Sequence, residues 1–437
     1  MTNEWREITV GDIAAPERNA LVGGPFGSDL VSSDYVADGI PVIRGQNMNG
    51  RWVSGDFAYV TPSKAGALAG NLAHPGDLVF TQRGTLGQVS MIPAHAYDRY
   101  LVSQSQMKLT VNGAIADPLF VYYVFRSPHQ QDYIRQRAIQ TGVPHTNLGI
   151  LRTTPIPLPN LNIQRAIARI LGSLDDKVEL NRRMSRALEA TARATFKSWF
   201  VDFDPVRAKA EGRDPGLPAC LADLFPNALE DSELGDIPAG WNVATLDDVA
   251  VSPRRPVKPK ELDPATLYIG LEHMPRKSIA LAEWGNVAGL ESGKAAFRRG
   301  EILFGKLRPY FHKVGVAAID GVCSTDIVVL TSKSEAWYGF VVGHASSDAF
   351  VAYTNAGSTG TKMPRTGWAE MARYPVALPP AAVGAAFTDL VGPMIERILA
   401  SVHENWTLAA VRDALLPRLV SGEFSITKAE QVMEAVQ

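Results

Sequence analysis

QRAIARILGSLDDKVELNRRMSRALEATARATFKSWF, residues 164–200, holds no proline and one glycine, Gly172. Along it Ile167, Leu171, Leu174, Val178, Asn181, Ser185, Leu188, Ala192, Thr195 and Trp199 alternate by four and three. That spacing predicts one long helix with a seam for a partner helix, the polar Asn181 fixing register. At 1.5 Å per residue the stretch is roughly 55 Å long. Its seam needs a partner, and a second face is marked by Phe387, Val391, Met394, Ile398, Leu408, Leu415 and Leu419. Pro393 is expected to kink that second helix or delay its start. The competing reading is an ordinary core helix of one large domain.

Outward from the helix, the chain repeats itself. EWREITVGDIA (4–14) resembles GWNVATLDDVA (240–250), and PVIRGQNM (41–48) aligns with LYIGLEHM (267–274). GDLVF (76–80) matches GEILF (300–304), and VSQSQMKLTV (102–111) matches CSTDIVVLTS (323–332). PIPLP (155–159) answers YPVALPP (374–380), and ARILGSLDDKV (168–178) overlies TDLVGPMIERI (388–398). Six matches in one order identify a duplicated unit. Each unit has short apolar runs bounded by Gly, Pro and Asn, which read as strands. The proline-rich segment is expected to close the globule, because proline stops regular pairing. The fold class expected is α+β: two mixed, strand-rich globules separated by two long antiparallel coiled-coil helices, with a pseudo-two-fold internal repeat. The expected divisions are a first globule over 1–160, a first helix over 161–204 and a linker over 205–239. A second globule over 240–380, a second helix over 381–424 and a tail over 425–437 follow.

Net charge is −2, spread unevenly. Residues 161–210 hold ten Lys/Arg against six Asp/Glu, residues 211–239 one against seven, and residues 240–380 sixteen against thirteen; residues 1–160 balance at twelve each. No segment is basic enough to demand nucleic acid by charge alone, so a DNA-binding reading calls for a more basic partner. The polar start MTNEWREITVGD has no signal-peptide pattern, and no apolar run approaches the ~18 residues of a membrane span. Cys220 and Cys323 cannot build a disulfide framework or a four-cysteine metal site, and a cytoplasmic location is expected.

Catalytic signatures are missing. GSTGTK (357–362) lacks the four-residue gap of a phosphate loop, and GGPFGSD (23–29) reads as a tight loop. DFDP (202–205) reads as a turn or cap beside the linker. There is no nucleophile elbow, zinc-protease helix, calcium loop or base-methylation motif.

FKSWFVDFDPVRAK (196–209) is close to the central conserved block of the specificity subunits of type I restriction-modification systems. TGVPHTNLGILRTTPIPLP (141–159), followed by NIQRAIARILGSLDDKVELNRR (162–183), resembles that family's passage from target recognition domain into conserved helix. LLPRLVSGEF (415–424) looks like its C-terminal helix end. The second helix departs from the pattern, opening on AVGAAFTDLVGP instead of NIQRAIA. The resemblance implies a non-catalytic DNA-binding subunit whose two target recognition domains each read half of a split, asymmetric double-stranded site. It implies helices that set the gap and dock two methyltransferase (modification) subunits, with restriction/translocase subunits in the full complex. S-adenosylmethionine, ATP and Mg are implied on the partners, with no cofactor, metal or catalytic residue on this chain. Alternatives are a single-chain methyltransferase or nuclease with an unrecognised active site, and a coiled-coil interaction adaptor.

Gln and Asn can grip adenine bidentately, and Arg guanine. The candidate readers are therefore Arg44, Gln46, Asn47, Gln82, Arg83, Gln104, Gln106, His145 and Asn147 in the first globule. In the second they are His273, Arg276, Lys306, Arg308, Tyr310, Lys313, Lys362 and Arg365. Gln104 and Gln106 could instead satisfy buried backbone groups, and the cations could contact phosphate. FGKLRPYFHK (304–313) interleaves basic and aromatic residues; the plainer reading is a solvated hairpin. Phe196, Trp199, Phe200 and Phe203 are expected to pack on the second helix or on a methyltransferase subunit.

Overall fold

The computed structural model describes residues 5–139, 144–360 and 363–434. Two compact units form, one from Met1–Lys177 with Leu408–Gln437, the other from Val178–Thr407. The long helices run Leu161–Phe200 and Ala381–Val420, 40 residues each, so each contributes to both units.

The first unit is strand-rich. A four-stranded sheet has the order Leu21–Gly23, Gln106–Leu109, Leu78–Thr81, Val89–Met91. A five-stranded sheet has the order Tyr35–Val36, Ala58–Val60, Ile40–Ile43, Tyr100–Val102, Leu72–Ala73, and its one parallel pairing sets Val42 opposite Leu101. Helices Pro118–Arg126 and Pro128–Arg137 follow, each started by a side-chain cap, Asp117 and Ser127, with proline at the first helical position.

The second unit repeats this plan. Its four-stranded order is Ala250–Val251, Ile327–Ser332, Ile302–Gly305, Val314–Val316. In its five-stranded sheet the single parallel pairing sets Tyr268 opposite Val322. Helices Tyr338–Ala345 and Asp348–Ala356 occupy the places of the two capped helices. Two strand-rich domains and two long helices are thus the fold that the repeat predicted.

Two expectations about proline change. PIPL does not end pairing: Pro155–Leu158 forms an antiparallel pair with Arg6–Thr9, and Pro375–Leu378 does so with Asn242–Thr245. In the first pair prolines occupy alternate positions, while Ile156 and Leu158 keep their N–H groups and are buried. Pro393 does not delay the second helix, which begins at Ala381 and continues past it. Pro393 is exposed, while Val391, Ile395 and Ile398 bury the opposite face, so packing outweighs the lost hydrogen bond. The seam uses Ile395 rather than Met394, which is half-buried.

Within the second unit the helices are antiparallel. Asn181 donates to the Asn405 side chain (3.0 Å), while Trp199 and Phe200, about five turns further along, meet Phe387 at 5.6 and 4.9 Å between ring centroids. The register role read for Asn181 therefore has a specific polar partner. Within the first unit Arg412 of the second helix pairs with Asp175 of the first at 2.6 Å.

The aromatic residues at the end of the first helix take the first of their two expected settings. Phe196, Trp199, Phe200 and Phe203 are buried in the core of the second unit with Phe387, Phe340, Phe225 and Trp241. They leave no exposed ring for a methyltransferase subunit, because the chain's own helix, linker and globule cover them.

Candidate nucleic-acid interface

In the first unit the backbone draws three loops together. Gln82 N–H donates to Ser105 O (2.7 Å), Thr146 N–H donates to Gln82 O (2.9 Å), and Arg83 bridges to His145. In the second, Lys306 N–H donates to Asp326 O (2.9 Å), Thr366 N–H donates to Lys306 O (3.1 Å), and Leu307 bridges to Arg365. One frame is built twice, with Gln82, Arg83, Ser105 and His145 in one copy and Lys306, Leu307, Asp326 and Arg365 in the other.

A second correspondence lies at the helical turn after the parallel strand. Asn47 Oδ1 accepts from Arg44 N–H, and His273 Nδ1 accepts from Gly270 N–H, both at 3.0 Å. Asn47 is buried, and its amide also donates to Ser54 O and Asp56 O. It staples a loop and has no edge left for a base. Gln106 is buried as well, taking the Ser103 hydroxyl. Both are therefore corrected from readers to loop-holding residues, because burial closes their amides to a ligand. Asn147 caps the helix Leu148–Thr153 through Ile150 N–H (2.9 Å), which uses its carbonyl oxygen. The Gln104 side-chain NH2 donates to Leu30 O (2.7 Å) and Gly27 O (3.0 Å), although the residue is exposed.

Exposed candidates remain in both units. Gln46 and Arg83 face solvent, and Arg44, Gln82 and His145 are half-buried. In the second unit Arg276 and Arg365 are exposed, Arg276 lying over the Phe311 ring at 4.2 Å and Arg365 pairing with Asp326 at 3.4 Å. FGKLRPYFHK forms the hairpin between strands Ile302–Gly305 and Val314–Val316. Its tip is a single helical turn, Pro309–Phe311, between Arg308 and His312, both with positive φ (52° and 51°). The turn presents Tyr310, 52% exposed, beside half-buried Lys306 and Arg308. Lys313 donates to Leu271 O, so its ammonium holds the neighbouring turn. Lys362 lies outside the described residues.

One exposed residue carried no signal of its own in the sequence reading. Phe26, in GGPFGSD, is 85% exposed. Its loop is fixed by Gly24 N–H to Gln106 O (2.8 Å) and by the two Gln104 bonds. A side chain at Gly24 would overlap the Ser103 carbonyl, so glycine is needed for this close approach. The pattern Gly-Gly-Pro-Phe-Gly was the available signal: a big apolar residue in a loop with no strand or helix to bury it.

Among the described residues no group of three His, Cys, Asp or Glu side chains is placed to hold a metal, and no helix is long and apolar enough to cross a membrane. Cys323 is buried, and burial pushes its thiol up to about 12.

Residues 3–190 match the family model described as the type I restriction modification DNA specificity domain. The chain is 23% identical to the type I restriction enzyme HindI specificity subunit of Haemophilus influenzae, over 96% of this chain and all of that one. It is also 23% identical to the MjaIX specificity subunit of Methanocaldococcus jannaschii, over 80% of this chain and 78% of that one. Among solved structures, the type I restriction-modification S subunit from M. genitalium shares the fold with a TM-score of 0.58 at 16% identity, covering 96% of each chain. The first domain thus matches the type I restriction modification DNA specificity domain, and the chain is similar over most of its length to type I specificity subunits and shares its fold with an S subunit.

Proposed function

We propose that each globule reads one half of a split, asymmetric DNA target through its loop frame. The observation that carries this reading is the frame itself, built twice on the same backbone bonds with different side chains. A shared scaffold docks both globules on duplex DNA alike, while different side chains select different bases. Gln82, Arg83 and His145, with Arg44 and Gln46, serve the first half; Lys306, Arg308, Tyr310, Arg365 and Arg276 serve the second. The long helices set the unread gap and dock two methyltransferase subunits, and restriction/translocase subunits complete the complex. S-adenosylmethionine, ATP and Mg belong to those partners, this chain performs no catalysis, and the assembly works in the cytoplasm. Methylome sequencing of host DNA with and without this chain tests the reading. A split methylated motif that vanishes with the chain supports it; an unchanged methylome refutes it.

Phe26 belongs to the same proposal, as a ring that stacks on or wedges beside a base step of the first half-site. Phe26→Ala in the assembled methyltransferase complex is expected to weaken binding of the target duplex on the order of tenfold, with Phe26→Trp retaining it. Fluorescence anisotropy measures both, and equal affinity of parent and Phe26→Ala removes Phe26 from the interface.

A further inference from the structure

The two globules seat on the long helices through different interlocking contacts, and the difference follows a rule. Helices Pro118–Arg126 and Tyr338–Ala345 correspond at an offset of 220, since Ser127 and Ser347 both cap the next helix and both donate to the carbonyl three residues back. The long helices and the strands before them keep the same offset. Tyr123 and Leu119 of the first unit thus stand where Gly343 and Gly339 stand in the second. On the helices, Leu416 and Ile167 correspond to Phe196 and Phe387.

Size moves from one side of the contact to the other. A Cβ on Gly343 would overlap the Phe196 ring, and one on Gly339 would lie 2.7 Å from Val391 and 3.1 Å from Phe387. The second globule supplies the hole and the helix supplies the ring. In the first unit the globule supplies the ring: Tyr123 is buried, and its hydroxyl donates to Asp175 (2.7 Å), which also takes Arg412 (2.6 Å). The places of Asp175 and Arg412 are held by Ile395 and Ala192 in the second unit. A third position follows suit. Gly384 receives Trp337, where the first unit has Gln164 accepting from Asp117 N–H at 2.9 Å. Where the first unit has Tyr123 and Arg412 on Asp175, the second unit has a partly open cavity of about 240 Å³ lined in part by Phe196, Gly343, Ala192 and Ile395.

We infer that these contacts form a key: each globule fits its own stretch of helix and cannot take the other's position unless the helix residues change with it. Tyr123 or Leu119 placed in the second position meets Phe196 or Phe387 in space already filled. The second globule placed in the first position leaves the Asp175–Arg412 pair without its phenol. The inference concerns folding and holds whatever the globules bind.

Compensating substitutions in the full chain test it. Gly343→Tyr alone is expected to lower the melting temperature of the second unit by about 5 °C or more, by overpacking against Phe196. Phe196→Leu alone lowers it by enlarging the cavity. The double variant Gly343→Tyr/Phe196→Leu, which fills that cavity, is expected to recover most of both losses. Gly339→Leu with Phe387→Ile should behave in the same way. Losses that simply add in both doubles would overturn the key, because uncoupled sites add and interlocked ones do not. A chain carrying the first globule in both positions gives the second arm. With Phe196→Leu, Phe387→Ile, Ile395→Asp and Ala192→Arg on the helices it should melt well above the same chimera with unchanged helices. Equal melting temperatures for the two chimeras also overturn the key.

Discussion

Trp199→Ala is expected to destabilise the second unit by about 3–5 kcal/mol, the cost of removing a large buried ring from a core that cannot close over the space. Trp199 is 2% exposed and sits edge-on to Phe225 at 5.0 Å, against Phe387 at 5.6 Å and beside Phe200 at 6.2 Å. It therefore ties the first long helix, the second and the acidic linker into one interior. For a unit of this size the loss corresponds to a fall of roughly 6–20 °C in melting temperature. Calorimetry should show the transition of the second unit moving while that of the first stays. A docking role for this ring would give the opposite pattern: an unshifted transition, and a methyltransferase complex lost on size-exclusion chromatography.

Arg365→Ala is expected to weaken binding of the assembled complex to its target duplex by about 10–100-fold and to relax selectivity in one half of the site only. Arg365 is exposed, sits in the bridge to Leu307 and is oriented by Asp326. A phosphate contact would instead weaken all sequences alike and shallow the salt dependence by about one charge. Binding curves against targets altered in either half, at several salt concentrations, separate the two. Loss of selectivity in both halves would remove the assignment of Arg365 to one half-site.

The large-scale plan could be read from residues because it rests on periodicity and repetition. The four-three spacing of Ile167, Leu171, Leu174 and Val178 has one solution, a helix with a seam, and all four are buried. The offset between copies likewise fixed which strands correspond. Readers were harder, because a Gln or Asn in a loop has the same letters whether its amide faces water or is spent on backbone. Asn47 is spent at both ends of its amide, Gln106 is buried, and Asn147 has its carbonyl oxygen engaged in a cap; Gln46 is exposed, with one bond to Asp56 O. Proline misled twice for physical reasons: around Pro157 the alternate residues Ile156 and Leu158 keep their N–H groups, and at Pro393 the buried opposite face outweighs the hydrogen bond that is lost. The aromatic run Phe196–Phe203 was ambiguous because burial within a chain and burial under a partner select the same side chains.

Glu189 bears on where the spacing idea is tested. Its carboxylate is buried against the second globule, accepting from Ser278 Oγ (3.0 Å) and Ile279 N–H (3.1 Å) and pairing with Arg193 (3.0 Å). Burial raises its pKa, while these partners favour the charged form. An added turn there would tear the helix from that globule, so the insertion belongs where the units divide, after Lys177 and after Thr407.

Four residues added at each of those two points lengthen both helices by about one turn, roughly 5.4 Å, or one to two base pairs of duplex. Methylome sequencing of a strain carrying this chain should then return the same two half-sites with a gap longer by one or two base pairs. An unchanged gap, or altered half-sites with the gap intact, would contradict two readers spaced by their shared helices.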